Sequence, residues 1–144
     1  MADIFHAFNV PIVYTYTEES SITGRQLLKA SILSVRGTFG MPTDFHILYH
    51  GTKDVLFRDW LKSQQIIIHQ HDPMWLNVVE NMRQHGRADI SHLFQSRGNY
   101  IGTWQRIDIP LFISAEYCMY LDSDTIVASA FGIYMTLVLR SHKV

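Results

Sequence analysis

Several common features are missing from this chain, and each absence narrows what it can be. Cys118 is the only cysteine among 144 residues, so no disulfide can close within the chain and nothing marks an oxidising compartment. No long apolar run occurs. Residues 126–139 are uncharged over 14 positions but are broken by Ser129, Gly132 and Thr136. Spanning a bilayer takes roughly 20 predominantly apolar residues, so this stretch reads as core. Residues 1–10 lack a basic segment followed by an apolar one, so no secretory signal is legible. The default expectation is therefore the cytoplasm, with the Golgi open to a longer form. Charge is close to balance: 12 Lys and Arg against 13 Asp and Glu leave a formal net charge of −1. Such a chain exerts no general pull on nucleic acid or an anionic membrane. There is no G-x-G-x-x-G, no G-x-x-x-x-G-K-[ST] and no G-x-S-x-G. Any bound phosphate must then be held by metal and side chains.

Against that background stands Tyr120-Leu121-Asp122-Ser123-Asp124-Thr125-Ile126-Val127, two acids one residue apart in apolar surroundings. The preceding Tyr117-Cys118-Met119-Tyr120-Leu121 reads as a buried strand. Charges are rarely buried unpaired, so carboxylates at the tip of such a strand need a reason. Alternate residues share a face of a strand, which lets Asp122 and Asp124 point the same way. Paired hard oxygen ligands suit Mg²⁺ or Mn²⁺, often bridging to phosphate. The plainer alternative is a polar turn where a strand ends.

The rest of the chain alternates strand and helix signals. Residues 10–16 are β-branched and aromatic, and residues 18–24 form a polar loop. Leu28, Ser31, Ile32 and Val35 then recur at helical spacing up to Gly37. Residues 45–49 predict a second strand, and Leu56/Trp60 with Phe57/Leu61 predict an amphipathic helix over 54–64. Residues 65–69 predict a third strand and 75–85 a helix. Residues 86–102 read as the longest irregular segment. Thr103 can cap a short helix that Pro110 bends or ends. The order β-α-β-α-β-α-α-β predicts a single α/β domain, a mostly parallel sheet in an α/β/α arrangement. Ligands of such sheets sit beyond the carboxyl ends of the strands, so residues 14–19 should line one crevice with Asp122 and Asp124.

Arg106, on the short helix before the acidic strand, can clamp phosphate or pair with an acid, or simply be solvated. His69-Gln70-His71-Asp72 is the densest histidine cluster. It lacks the ligand count of a zinc site and reads as a polar strand end. The tryptophans Trp60, Trp75 and Trp104 fall at helical positions and read as core.

These residues resemble the retaining, nucleotide-sugar-dependent glycosyltransferases of the GT-A fold, in the family 8-like group that includes glycogenin and galactinol synthase. Val10-Pro11-Ile12-Val13-Tyr14-Thr15 is similar to that group's first strand. Arg106-Ile107-Asp108-Ile109-Pro110 followed by residues 117–127 is similar to its Arg-x-x-Ile-Pro helix and Tyr-Leu-Asp-x-Asp strand end. The likeness covers about residues 10–127. It implies that Asp122 and Asp124 hold Mn²⁺ or Mg²⁺ against a donor diphosphate, with Asp122 and Ser123 also near the donor. It further implies that Arg106 faces the donor sugar or its phosphates as the catalytic candidate, and that Tyr14, Thr15 and the following turn contact the base. The implied activity is hexosyl transfer from a nucleoside-diphosphate sugar, UDP above all, to an acceptor that can be a glycan, polyol, lipid or protein. Where relatives carry an acid after the first strand, this chain has Thr17, and Glu18 is the substitute. The group continues well past this length with a further histidine ligand and the acceptor site. The resemblance thus implies the donor-binding half of a GT-A fold, truncated at its C-terminus, with residues 128–144 an apolar tail matching nothing in the group.

Two other readings stay open. A haloacid-dehalogenase-like phosphohydrolase also places Asp-x-Asp after an apolar strand, but needs later acids and a lysine that residues 125–144 do not complete. A non-catalytic interaction module would keep the fold without turnover.

Overall fold

The first strand, β1 (Ile12–Thr17), is buried along its whole length and lies near the middle of the sheet. It belongs to a computed structural model that describes residues 10–37, 44–85 and 97–128. Helix α1 (Ile22–Arg36) follows, then β2 (Phe45–His50), α2 (Val55–Ser63), β3 (Ile66–Gln70), α3 (Leu76–His85), α4 (Arg97–Trp104), a 3-10 helix (Gln105–Leu111) and β4 (Met119–Tyr120). All pairings are parallel and the strand order is β3-β2-β1-β4. The chain is thus an α/β protein with a four-stranded parallel sheet, in the element order that the apolar spacing predicts.

Alternation along the strands divides the core into two layers. Ile12, Tyr14, Tyr16, Phe45, Ile47 and Tyr49 face α1 and α2, meeting Leu28, Ile32, Val35, Phe57 and Leu61. Val13 and Leu48 face the other way, onto Ile109 and Ile113 beside the 3-10 helix. Burying each such aliphatic side chain stabilises the fold by about 1.5–3 kcal/mol. Ser21 caps α1 by accepting the Gly24 N–H, and Asp54 caps α2 by accepting that of Phe57. Gly51 turns the chain after β2 at φ +116°, a conformation that favours glycine, and a Cβ there would meet the Glu18 carboxylate at 2.6 Å.

Four expectations need correction. The acid-tipped strand is two residues long rather than five, because β4 sits at an edge of the described sheet and pairs with β1 alone. Cys118 and Tyr117, read as buried in that strand, are exposed. Thr103 does not start a helix: α4 already runs through it, and a 3-10 helix containing Pro110 continues from Gln105. Trp104, read as core, is 42 % exposed, whereas Trp60 packs against the main core and Trp75 against Tyr100 and Ile101. Most of the stretch 86–102 (residues 86–96), the tail from 129 onward and His142 lie outside the described residues. Among the described residues, no helix is long and apolar enough to cross a membrane.

The chain steps outward from β1 to β2 to β3, then returns through α3, α4 and the 3-10 helix to place β4 on the opposite side of β1. A buried polar contact anchors that return. Asp108 Oδ2 accepts the Trp75 indole N–H at 2.9 Å and lies 2.7 Å from His71 Nε2. Removing the carboxylate leaves the buried His71 ring nitrogen and the part-buried Trp75 indole N–H without their partner. Asp108→Ala should therefore lower the unfolding free energy by about 3 kcal/mol, read from urea denaturation at neutral pH. A change within about 0.5 kcal/mol would show that the contact carries no stability.

Candidate functional site at the switch point

In open parallel sheets, a crevice forms at the carboxyl edge where the strand order reverses. Here the chain steps from β1 through β2 to β3 and then crosses back to β4, so the reversal falls between β1 and β4. Ile12 pairs with Met119 and Val13 with Tyr120, and the Leu121 N–H donates to the Val13 carbonyl at 3.1 Å. A cavity of about 440 Å³ lies at that edge. Thr15 and Tyr16 of β1 and Glu19 and Ser20 of the turn form one wall. Ser21 and Gly24 bring the start of α1 to it, and Gly98, Gly102 and Thr103 bring α4. Tyr120, Asp122 and Ser123 close the β4 side.

Gly98 shows why α4 can come so close. A Cβ there would lie 2.4 Å from the Glu19 carbonyl oxygen, so only glycine lets the helix rest on the β1–α1 turn.

The residues expected at the crevice separate, and strand face alone does not sort them: Tyr16, on the face of Tyr14, is in the lining, and Thr17, on the face of Thr15, is not. Thr15 lines the cavity and donates its hydroxyl proton to the Gly102 carbonyl at 2.7 Å. Tyr14 points to the opposite face, fully buried, with its hydroxyl 2.9 Å from Ser31 Oγ. Burial pushes its phenol up to about 12, against the Ser31 contact. Tyr14 therefore does not line the crevice, since period-two alternation turns it into the core. Thr17 does not line it either. It is fully buried, with Oγ1 3.0 Å from His50 Nδ1 and accepting the Glu19 N–H at 3.3 Å.

Glu18, the expected substitute for the missing acid, is engaged elsewhere. Its carboxylate accepts the Tyr49 hydroxyl at 2.9 Å and the N–H groups of Lys53 and Asp54 at 2.8 Å each. The acid that reaches the cavity is its neighbour Glu19. Two adjacent acids after a strand hint that one can turn back to brace the fold while the other faces the ligand edge. Which does which depends on the β2–α2 loop, far away in sequence.

Asp122 and Ser123 line the cavity, whereas Asp124, also exposed, is not among its lining residues. The two acids sit past the end of β4 in a turn closed by the Thr125 N–H on the Asp122 carbonyl, 3.0 Å. The strand alternation expected to put both side chains on one face therefore does not apply to them. Arg106 is exposed on the 3-10 helix, outside the lining, with its guanidinium 5.8 Å from the Tyr120 ring centroid. Tyr120 is a site residue that the motif's focus on its acids passed over. Burial raises its phenol pKa, Thr15 partly opposes that, and the hydrogen bond and charge of Asp122 raise it further.

Among the described residues, no group of three or more His, Cys, Asp or Glu is arranged to hold a metal ion. Mg²⁺ commonly takes one or two carboxylates and completes its shell with water and ligand phosphates. Of the two acids in the turn, Asp122 stands at the cavity and Asp124 outside its lining. The histidine cluster disperses instead. His46 Nδ1 lies 3.0 Å from His69 Nε2, Gln70 donates to the Gly51 carbonyl, His71 meets Asp108, and Asp72 lies 3.6 Å from His50.

No protein-family model matches the chain, and no curated protein or solved structure matches it either.

The bracing role of Glu18 has a pH signature. Burial alone would raise its pKa, but the amides of Asp54 and Lys53, the Tyr49 hydroxyl and the Arg58 charge bring it below the ordinary 4.5. The folded state thus favours ionised Glu18. Its stabilisation is complete above the ordinary value and is lost as pH falls through the lowered folded one. Glu18→Gln should be less stable than the wild type at pH 7 and lose stability less steeply between pH ~5 and ~3. Urea midpoints across that range would measure this, and parallel curves for the two proteins would remove Glu18 from the account.

Proposed function

We propose that this chain binds a nucleoside-diphosphate sugar at the β1–β4 crevice with a divalent cation, as the donor-binding part of a GT-A-type glycosyltransferase. The observation that carries the reading is the composition and position of the cavity. It lies where the strand order of a parallel sheet reverses, and among the described residues its lining contains the carboxylates of Glu19 and Asp122 but no lysine, arginine or histidine. A diphosphate placed against two carboxylates is repelled unless a cation stands between them. The hydroxyls of Thr15, Ser20, Ser21, Thr103 and Ser123 supply donors and acceptors suited to ribose or sugar hydroxyls.

In this reading Asp122 and Asp124 hold the cation, and Asp122 also faces the donor. Glu19, in place of Glu18, accepts a hydrogen bond from the nucleoside. Arg106 approaches the phosphates from the Tyr120 side with a charge that stays on at any physiological pH. The cation's chemical contribution is that of a Lewis acid, neutralising charge that develops on the departing nucleoside diphosphate. A phosphohydrolase of that type needs a second acid placed to protonate the leaving group while the aspartate attacks. Among the described residues, Glu19 is the one acid beside Asp122 in the lining, and it sits on the opposite wall, on the β1–α1 turn.

Calorimetric titration of UDP should show binding with Mn²⁺ present and at least about tenfold weaker binding without it. Asp122→Ala should abolish the metal-dependent part, and Asp124→Ala should weaken it. Equal heats with and without Mn²⁺, or unchanged heats in both variants, would overturn the reading.

A further inference from the structure

The turn that carries Glu19 into the cavity is held by two side chains that do not line it. Thr17 ends β1 and His50 ends β2, and the two are register partners across the parallel pair. Their side chains therefore share a face, and Thr17 Oγ1 lies 3.0 Å from His50 Nδ1. The other imidazole nitrogen, Nε2, faces the Asp72 carboxylate at 3.6 Å. A carboxylate there favours the ring proton on Nε2, which leaves Nδ1 to accept the Thr17 hydroxyl proton. The lone pairs of Oγ1 are then turned away from His50, and the oxygen accepts the Glu19 N–H at 3.3 Å. The Glu19 carbonyl is confined from another side, where α4 rests on it at Gly98.

We propose that Thr17 and His50 are positioning residues, whose hydroxyl–imidazole contact fixes the Glu19 backbone and so the direction in which its carboxylate enters the cavity. The proposal rests on the donor-site reading above and adds two residues from outside the cavity lining. With its N–H aimed at Oγ1 and its carbonyl against α4, residue 19 keeps one backbone orientation, and its Cα–Cβ bond follows. The neighbouring amides are held differently. Glu18 N–H donates to the His50 carbonyl and Ser20 N–H to the Thr17 carbonyl, at 3.0 Å each. Those two bonds use neither side chain, so a substitution at 17 or 50 can break the relay and leave them in place. Thr17 also turns its methyl group towards α4, 3.9 Å from where a Gly102 Cβ would lie, and valine keeps that contact.

Thr17→Val removes the hydroxyl at nearly constant shape, and His50→Leu removes the acceptor and carries the test should Thr17→Val not fold. Each should speed hydrogen exchange of the Glu19 amide, followed by NMR, by about fivefold or more while Ser20 exchange stays as in the wild type. Thr17→Ser keeps the hydroxyl, and the side-chain amide of His50→Asn can take the Nδ1 position, so both should keep wild-type exchange. In calorimetry with UDP and Mn²⁺, Thr17→Val and His50→Leu should bind about three- to tenfold more weakly, the range one hydrogen bond supplies. In a Glu19→Ala background, Thr17→Val should cost less than about twofold, because the side chain it aims is gone. A merely structural contact would give the same loss in both backgrounds and raise Ser20 exchange as much as that of Glu19, which overturns the proposal. Unchanged Glu19 exchange in both disruptive variants overturns it too. If the wild type binds UDP with Mn²⁺ and neither variant weakens that binding, the positioning role alone is overturned. If the wild type shows no such binding, the donor-site reading falls and this proposal falls with it.

Discussion

The pairing of β4 with β1 is the contact on which the candidate site depends. It consists of a few backbone hydrogen bonds, Met119 N–H to the Pro11 carbonyl at 2.8 Å and Leu121 N–H to the Val13 carbonyl at 3.1 Å. It nevertheless brings residues more than a hundred positions apart to one edge. Without it the Asp122 turn would have no fixed relation to Thr15 or to the start of α1. Such a short strand holds its place because its neighbours are held first. Met119 and Leu121 pack against the core shared by α1 and α2, and Tyr120 packs on the opposite face with Val13 and Ile109. The Val127 N–H also reaches Ser34 of α1 at 3.0 Å.

Electrostatics then narrows what the crevice can accept. Among the described residues, a lining with carboxylates and hydroxyls but no cationic side chain disfavours a bare polyanion and favours cations and polyols. Positive charge lies nearby in Arg106, outside the lining and held against an aromatic ring. That balance is why the proposed function pairs any phosphate-bearing ligand with a cation.

Much of the fold was legible because the buried elements obey simple periods. Leu28, Ile32 and Val35 marked α1, Phe57 and Leu61 marked α2, and the β-branched run over residues 10–16 marked β1 closely. The site was legible only in outline. That strand β1 and the acidic pair share an edge followed from the order of elements and the switch-point rule. The membership of Tyr14, Thr17 and Glu18 did not follow, since it turns on strand face and on loop partners. Tyr14 goes to Ser31, Thr17 to His50 and Glu18 to the amides of Lys53 and Asp54. The length of β4 was overread because an apolar, aromatic run can lie along an edge half in solvent as well as in a core.

By itself, the sequence determined an α/β domain with acids placed after its last strand, because hydrophobic periodicity and chain order are local properties that burial must respect. The tertiary structure alone decided that Glu19 faces the cavity instead of Glu18, and that Asp122 lines it while Asp124 does not. It also decided that Tyr120 meets Thr15 and Arg106 at one point. Those choices depend on which distant backbone amides and side chains offer hydrogen bonds, and no local pattern encodes the arrival of a partner a hundred residues away.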